Sequence, residues 1–221
     1  MLLSHAKMRR KLNFLITAGP TREFLDPFRF ISNPSSGKMG YAFARAARER
    51  GQETVLVSGP TNLPRPEGVK TIRVSSAREM RKAVMKYFPS SDVVIMAAAV
   101  SDYRPAARRK SKIKKNRKKI QISLVSNPDI LAELGGKKGG RFLVGFSADS
   151  DNIVDNARKK MEIKGADLIV ANDISSPGSG FESDSNRVVV LERDGKTETW
   201  PLLSKDEVAE RLIKKIIGKL K

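Results

Sequence analysis

"NFLITAGPTR", residues 13–22, decides how the rest of the chain is read. Asn13 to Ala18 has the apolar character of a buried strand, and Gly19-Pro20-Thr21-Arg22 turns the chain at once. Strand, glycine-containing turn and helix is how a nucleotide-binding α/β sheet begins. Here the helix is delayed. RFISNPSSGKMG (29–40) intervenes, and a helical pattern starts at about Gly37. Met39, Tyr41, Ala42, Phe43, Ala46 and Ala47 supply its apolar face, and Gly51 is a natural stop.

The same alternation continues outward. Strands are expected at 54–57, 71–74, 92–96, 142–146 and 167–170. Helices are expected from Ala77 to about Phe88, from Asn127 to Leu134, around Ile153–Ile163, and from about Asp206. Ser76 and Glu79 have the spacing of a capping box. Arg193-Asp194-Gly195-Lys196 links Arg187–Leu191 to Glu198–Trp200 as an antiparallel hairpin. Ile120, Ile122 and Leu124 alternate with Gln121 and Ser123, which predicts a half-exposed strand returning from a basic arm at about 104–124. The expected fold is α/β: a Rossmann-like doubly wound, mainly parallel sheet with helices on both faces. An appended antiparallel hairpin and a protruding basic arm complete it. One domain, 13–221, follows a flexible N-terminal tail, 1–12.

Composition narrows the chemistry. The 221 residues include no cysteine and one histidine, His5, so thiolate chemistry, Cys-based metal sites and Ser-His-Asp triads are excluded. No apolar run reaches membrane-spanning length, and a cytoplasmic protein is expected. The formal charge is +19. Ten Lys or Arg residues and no acid lie between Arg104 and Lys119, so this segment carries more than half of the excess. Its interior lacks the aromatic residues on which bases stack, which argues against nucleic acid as the partner and for a local anion-binding arm.

Polar and small residues gather where the strands end: TAGPTRE, SGPTNLPRP, AAAVSDYRP, GFSADSD and ANDIS. In a doubly wound sheet these loops face one crevice. Neither common phosphate fingerprint fits. Gly37-Lys38 is followed by Met39 instead of the Ser or Thr of a Walker loop, and Gly19 is followed by Pro20. Backbone amides around Ser35, Ser36 and Gly37 at a helix start still suit a phosphate; the alternative is a polar capping loop. Lys112-Ile113-Lys114-Lys115 could compensate a triphosphate, or be a solvated charge run. Asp102 could hold Mg²⁺, or be an ordinary loop acid.

Several blocks together resemble one family. ITAGPTRE (16–23), DPFRFISNPSSGKMG (26–40), VSGPTNLP (57–64), AAAVSDYRP (97–105), KIKK (112–115), NPDIL (127–131), GFSAD (145–149) and DLIVANDIS (167–175) are similar to phosphopantothenoylcysteine synthetase of coenzyme A biosynthesis. In bacteria and archaea that enzyme is usually the carboxy-terminal half of a bifunctional flavoprotein. The resemblance implies ligation of 4′-phosphopantothenate to L-cysteine through an acyl nucleotidylate, with Mg²⁺ and with CTP, or less readily ATP. It implies that Asn33 binds the acyl intermediate, that Arg29 orients the pantothenate part, and that Ser35, Ser36, Gly37 and Lys38 hold the substrate phosphate. Nucleotide contacts map onto Met96, Ala97, Ala98, Asp102, Lys112, the turn Val125-Ser126-Asn127-Pro128, Phe146, Lys160 and Lys164. Read without the resemblance, Phe146 is a core residue and the two lysines a solvated helix surface.

The resemblance also implies a homodimer whose 104–124 arm reaches the neighbouring site. Asp149-Ser150 stands where many members have Glu-Thr. The flavin-dependent decarboxylase motifs are missing from the chain, so no FMN is expected on it. Two other readings of the residues are an NAD(P)-dependent Rossmann oxidoreductase and a nucleic-acid-binding protein using the basic arm. Gly19-Pro20 argues against the former.

Overall fold

Strand Asn13–Ala18 pairs in parallel on both sides, with Glu53–Ser58 and with Val93–Met96. The chain reverses its direction of winding between the last two. The computed structural model describes residues 10–115, 119–149, 151–173 and 183–220. Along them run β1 (Asn13–Ala18), β2 (Arg22–Phe24), β3 (Phe30–Ser32), α1 (Lys38–Glu49), β4 (Glu53–Ser58), β5 (Lys70–Arg73) and α2 (Ala77–Tyr87). Next come β6 (Val93–Met96), β7 (Tyr103–Pro105), β8 (Leu124–Ser126), α3 (Ile130–Gly135), β9 (Phe142–Asp149) and α4 (Ile153–Lys164). β10 (Leu168–Asp173), β11 (Ser185–Glu192), β12 (Thr197–Ser204) and α5 (Lys205–Leu220) follow.

The main sheet has the order β12-β11-β10-β9-β6-β1-β4-β5, with β11 antiparallel to both of its neighbours and every other pairing parallel. This is the expected Rossmann-like arrangement, and its switch point lies between β1 and β6. Alternate side chains of each strand feed opposite faces. Val93 and Ile95 join Phe14, Ile16, Tyr41, Phe43 and Trp200 under α1 and α5. Val94 and Met96 join Leu15, Met80, Leu131, Leu143 and Met161 under α2, α3 and α4. At Gly40 α1 meets β1 backbone to backbone: a Cβ there would lie 2.5 Å from Ala18 Cβ and 2.6 Å from the Thr17 carbonyl.

Three features differ from the sequence expectation. The gap before α1 folds into a small hairpin of its own, β2–β3, with Phe24 and Phe30 packed edge to face at 5.5 Å between ring centres. The returning strand of the arm is Leu124–Ser126 instead of Ile120–Leu124, because it pairs with Tyr103–Pro105 and that short partner sets its register. Residues 120–123 are described but are not strand. At the amino end Leu12 is buried and its N–H donates to Gln52 Oε1 at 2.9 Å, so the core begins one residue before Asn13. His5 and the rest of 1–9, and Ser150, lie outside the described residues.

The arm is tied down by one carboxylate. Asp26 is fully buried and accepts from the N–H groups of Phe28 and Arg29 at 2.8 Å each. Arg29 Nη1 and the Ile113 N–H donate to its other oxygen at 3.0 Å each. Arg29 Nη1 also donates to the Ile113 carbonyl at 3.0 Å, and Arg109 N–H to the Leu25 carbonyl at 2.9 Å. The first half of the arm thus lies along the β2–β3 hairpin. The Ile113 N–H, against the penalty of burial, and then the other donors hold the Asp26 carboxyl down from 3.8 to about 2. A carboxylate whose pKa is lowered on folding contributes fully above its unfolded value and loses that contribution as pH falls through the folded one. The protection factor of the Ile113 amide against hydrogen exchange should therefore hold above pH 3.8 and collapse towards pH 2. Asp26→Asn should abolish it at neutral pH.

Candidate active site

The loops after β1 and β6 continue the sheet past its strands. Ala99 N–H donates to the Gly19 carbonyl at 3.0 Å, and Thr21 N–H to the Ala99 carbonyl at 3.3 Å. Thr17 Oγ1 accepts from Ala98 N–H at 3.1 Å, and the buried Thr21 Oγ1 from Ser101 N–H at 3.0 Å. The AAAV segment is fixed by threonine side chains as much as by main chain. Asn33 Nδ2 donates to the carbonyls of Ala99 and Val100 at 3.3 Å each, which sets the orientation of its amide over that segment.

Two cavities open at this end of the sheet. The first, about 290 Å³, is lined by Asn33, Ser35, Ser36, Gly37, Lys38 and Ala97 among others. The second, about 540 Å³, is lined by Met96, Ser126, Asn127, Pro128 and Lys164 among others. They share a wall made by Ala98, Val100, Asp102, Phe146 and Lys160. Phe146 is half-buried and packs on Phe43 at 5.5 Å between ring centres, so it is both core and lining.

The first cavity receives the amino end of α1. Its N-cap, Gly37, has φ 79°, a left-handed conformation that favours glycine. Gly37 has no side chain with which to cap the helix, Lys38 N–H reaches Ser36 Oγ only at 3.5 Å, and the first turn carries no acid. Such an end presents positive main-chain dipoles, and an anion suits it. Lys38 Nζ lies 2.5 Å from Asp184 Oδ1 at the rim.

The second cavity is built by a turn and a helix. Asn127 N–H donates to the Asp102 carbonyl at 2.7 Å and Asn127 Nδ2 to the Ser101 carbonyl at 2.8 Å. Arg104 Nη1 donates to the Ser126 carbonyl and, at 3.3 Å, to Asn127 Oδ1. Asp129 caps α3 by accepting from Ala132 N–H at 2.9 Å and also pairs with Lys164. Burial alone would raise the Asp129 pKa; the Lys164 hydrogen bond, the Ala132 N–H and the charges of Lys164 and Lys160 bring it below the usual value. Lys160 and Lys164, one turn apart on α4, both face the opening. A polyanion next to a flat aromatic wall is the ligand class this cavity suits.

Sixteen of the eighteen expected site residues are Asn33, Ser35–Lys38, Met96–Ala98, Asp102, Val125–Pro128, Phe146, Lys160 and Lys164; all of these but Val125 line one cavity or the other. Arg29, Lys112 and Val125 line neither. Arg29 is bound to Asp26, Lys112 Nζ stands 5.4 Å over the Phe28 ring, and Val125 is an exposed member of β8. Asn172, Asn186, Ser147 and Lys205 line the first cavity and had not been singled out. Asn172 falls inside the DLIVANDIS block, whose last two residues lie outside the described ones. Asn186 and Lys205 come from the appended hairpin and the helix after it, where only the tertiary fold reveals them. Among the described residues no group of three or more potential ligands could hold a metal, and no helix is long and apolar enough to cross a membrane.

The family model described as DNA/pantothenate metabolism flavoprotein C-terminal domain matches residues 9–220. The chain is 45% identical over 203 residues to the coenzyme A biosynthesis bifunctional protein CoaBC of Bacillus subtilis, covering 91% of this chain and 50% of that protein. The Escherichia coli protein of the same name is 45% identical over 212 residues, covering 94% and 52%. The chain spans about half the length of these curated relatives. The crystal structure of the C-terminal domain of CoaBC matches with a TM-score of 0.82 at 43% identity, covering 95% of each chain. The DNA/pantothenate metabolism flavoprotein from Streptococcus pneumoniae matches at 0.81 and 25% identity, covering 94% of this chain and 99% of that one.

Asn127 holds the wall between the two cavities through its side chain. Asn127→Ala leaves the Ser101 carbonyl without its donor and should lower stability by about 1–2 kcal/mol, read from the urea midpoint at unchanged slope.

Proposed function

The chain belongs to the family of the DNA/pantothenate metabolism flavoprotein C-terminal domain, and from that premise we propose that it ligates 4′-phosphopantothenate to L-cysteine, with CTP as the activating nucleotide. The observation that carries this reading is the shared wall. An acid substrate in the first cavity and a nucleoside triphosphate in the second would meet across Ala98, Asp102, Phe146 and Lys160. The substrate carboxylate attacks the α-phosphorus, the bond to the β-phosphate breaks, and pyrophosphate leaves. The cysteine amine then attacks the acyl carbon, CMP departs, and the amine proton passes to solvent.

The chemistry asks for positioning and charge stabilisation, not for a protein nucleophile. Asn33, oriented by the Ala99 and Val100 carbonyls, holds the acyl group. The α1 amides, Ser35, Ser36 and Lys38 receive the phosphate of phosphopantothenate, while Lys160 and Lys164 meet the nucleotide. Asp102, on the wall common to both cavities, would hold Mg²⁺, which would supply charge neutralisation to the phosphates.

A homodimer completes this reading. Phe28, Tyr103, Ile120, Ile122 and Leu124 are exposed apolar side chains on and around the arm, a surface suited to a second copy. Lys112 and Arg29, away from the cavities of their own chain, would then serve the partner's.

The test mixes the protein, Mg²⁺, 4′-phosphopantothenate and either CTP or ATP, and follows pyrophosphate with and without cysteine. Absence of pyrophosphate with both nucleotides sinks the proposal; a preference for ATP corrects only the nucleotide. Asn33→Ala should still release pyrophosphate in a first turnover and then consume the nucleotidylate about 100-fold more slowly. Lys112→Ala should weaken nucleotide use by about 2 kcal/mol. Mixing the two variants should restore roughly a quarter of the wild-type activity, the share of sites that a symmetric dimer rebuilds. No recovery would put the arm to work on its own chain.

A further inference from the structure

The first cavity contains a lysine to which the proposed reaction gives no role. Lys205 lines it, with only 6% of its surface exposed. It is the first residue of α5, where the helix dipole opposes an ammonium. Its neighbours Asp206 and Glu207 have the charge that position favours; Lys205 does not. It also lies close to a second cation. Burial, and then the charge of Lys38, push its pKa down against the pull of Asp184. Asp184 touches both residues differently: its carboxylate binds the Lys38 ammonium, and its carbonyl accepts from the backbone N–H of Lys205 at 3.0 Å. That carboxylate is 88% exposed, so water screens much of its attraction for either ammonium.

Other atoms of the same cavity await a polar ligand. Ser147 Oγ and Asn186 Oδ1 are buried, line it, and have no hydrogen-bond partner among the described residues. Asn186 itself is 5% exposed. Two ammoniums, a helix start whose cap residue is a glycine, and a buried hydroxyl at one place suit a group with two negative charges and several acceptor oxygens. The triphosphate is not that group, since neither Lys205 nor Lys38 lines the second cavity.

Resting on the ligase reading, we propose that Lys205 is a substrate-binding residue that shares the phosphate of the acid substrate with Lys38. It thereby makes the protein select a phosphorylated acid over its unphosphorylated counterpart. An alcohol in place of the phosphate carries no charge and too few acceptor oxygens to engage both ammoniums and the helix start.

Calorimetric titration of the wild type and Lys205→Met with 4′-phosphopantothenate, pantothenate and CTP tests this without relying on turnover. The wild type should bind 4′-phosphopantothenate at least about 100-fold more tightly than pantothenate, and Lys205→Met should cut that ratio to about 10-fold or less. CTP affinity should change by less than about 3-fold, since Lys205 lies outside the second cavity. The melting temperature, measured alongside, separates loss of a ligand contact from loss of the fold. An unchanged ratio overturns the assignment, as does a variant that melts lower and loses all three ligands together. A wild type that binds no 4′-phosphopantothenate overturns both this assignment and the ligase reading. One that binds with the expected ratios yet releases no pyrophosphate with either nucleotide overturns the ligase reading alone.

Discussion

Everything at the carboxyl end of the sheet depends on how closely α1 approaches β1. The absence of a side chain at Gly40 lets the helix lie on the backbone of Thr17 and Ala18. A methyl group there would push the helix outwards by its own radius, because the atoms it meets belong to the central strand. The amino end of α1 would move with it, carrying Ser36, Gly37 and Lys38 away from Ala98 and Phe146. A displacement of that size is what oriented-dipole chemistry tolerates least.

Charge in this protein is distributed by purpose rather than evenly. The arm's described lysines line neither of the two cavities at the carboxyl end of the sheet, yet the segment is ordered onto the β2–β3 hairpin by Asp26. Four donors converge on that one carboxylate, which explains why the segment keeps a defined path despite its like charges. The cationic residues that line the two cavities at the carboxyl end of the sheet are instead on helices: Lys38 on α1, Lys160 and Lys164 on α4, Lys205 on α5. A helix sets where an ammonium stands far better than a loop does.

The parallel sheet was legible because its strands are buried on both faces and read as uninterrupted apolar runs, Val93–Met96 being the clearest. The capping box at Ser76 and Glu79 was legible too: Ser76 Oγ accepts from Glu79 N–H at 3.3 Å, although Glu79 reaches back to Ser75 N–H at 2.9 Å, one residue earlier than the motif describes. The β2–β3 hairpin was not, since three-residue strands carry no period to detect. Ile120–Leu124 misled because alternation marks one exposed and one apolar side of any extended segment, paired or not. For the site, residues in loops between strand and helix stood out by their small or polar types. Lys205 did not, because a lysine in an amphipathic helix is ordinarily a solvated one, and its burial follows from the packing of α5 on α1.

That packing joins distant parts of the chain. Arg45 on α1 binds Asp206 at 2.5 Å and Arg50 binds Glu210, while Lys215 sits 2.7 Å from both Glu192 and Glu198. The first cavity therefore takes its walls from residues 33–40 and from residue 205, with some 165 positions of synthesis between them. On a translating ribosome the early sheet and α1 could collapse long before the pocket exists. Binding competence would arrive late and all at once, when α5 leaves the exit tunnel, so a nascent chain could not sequester substrate while its fold is still half made.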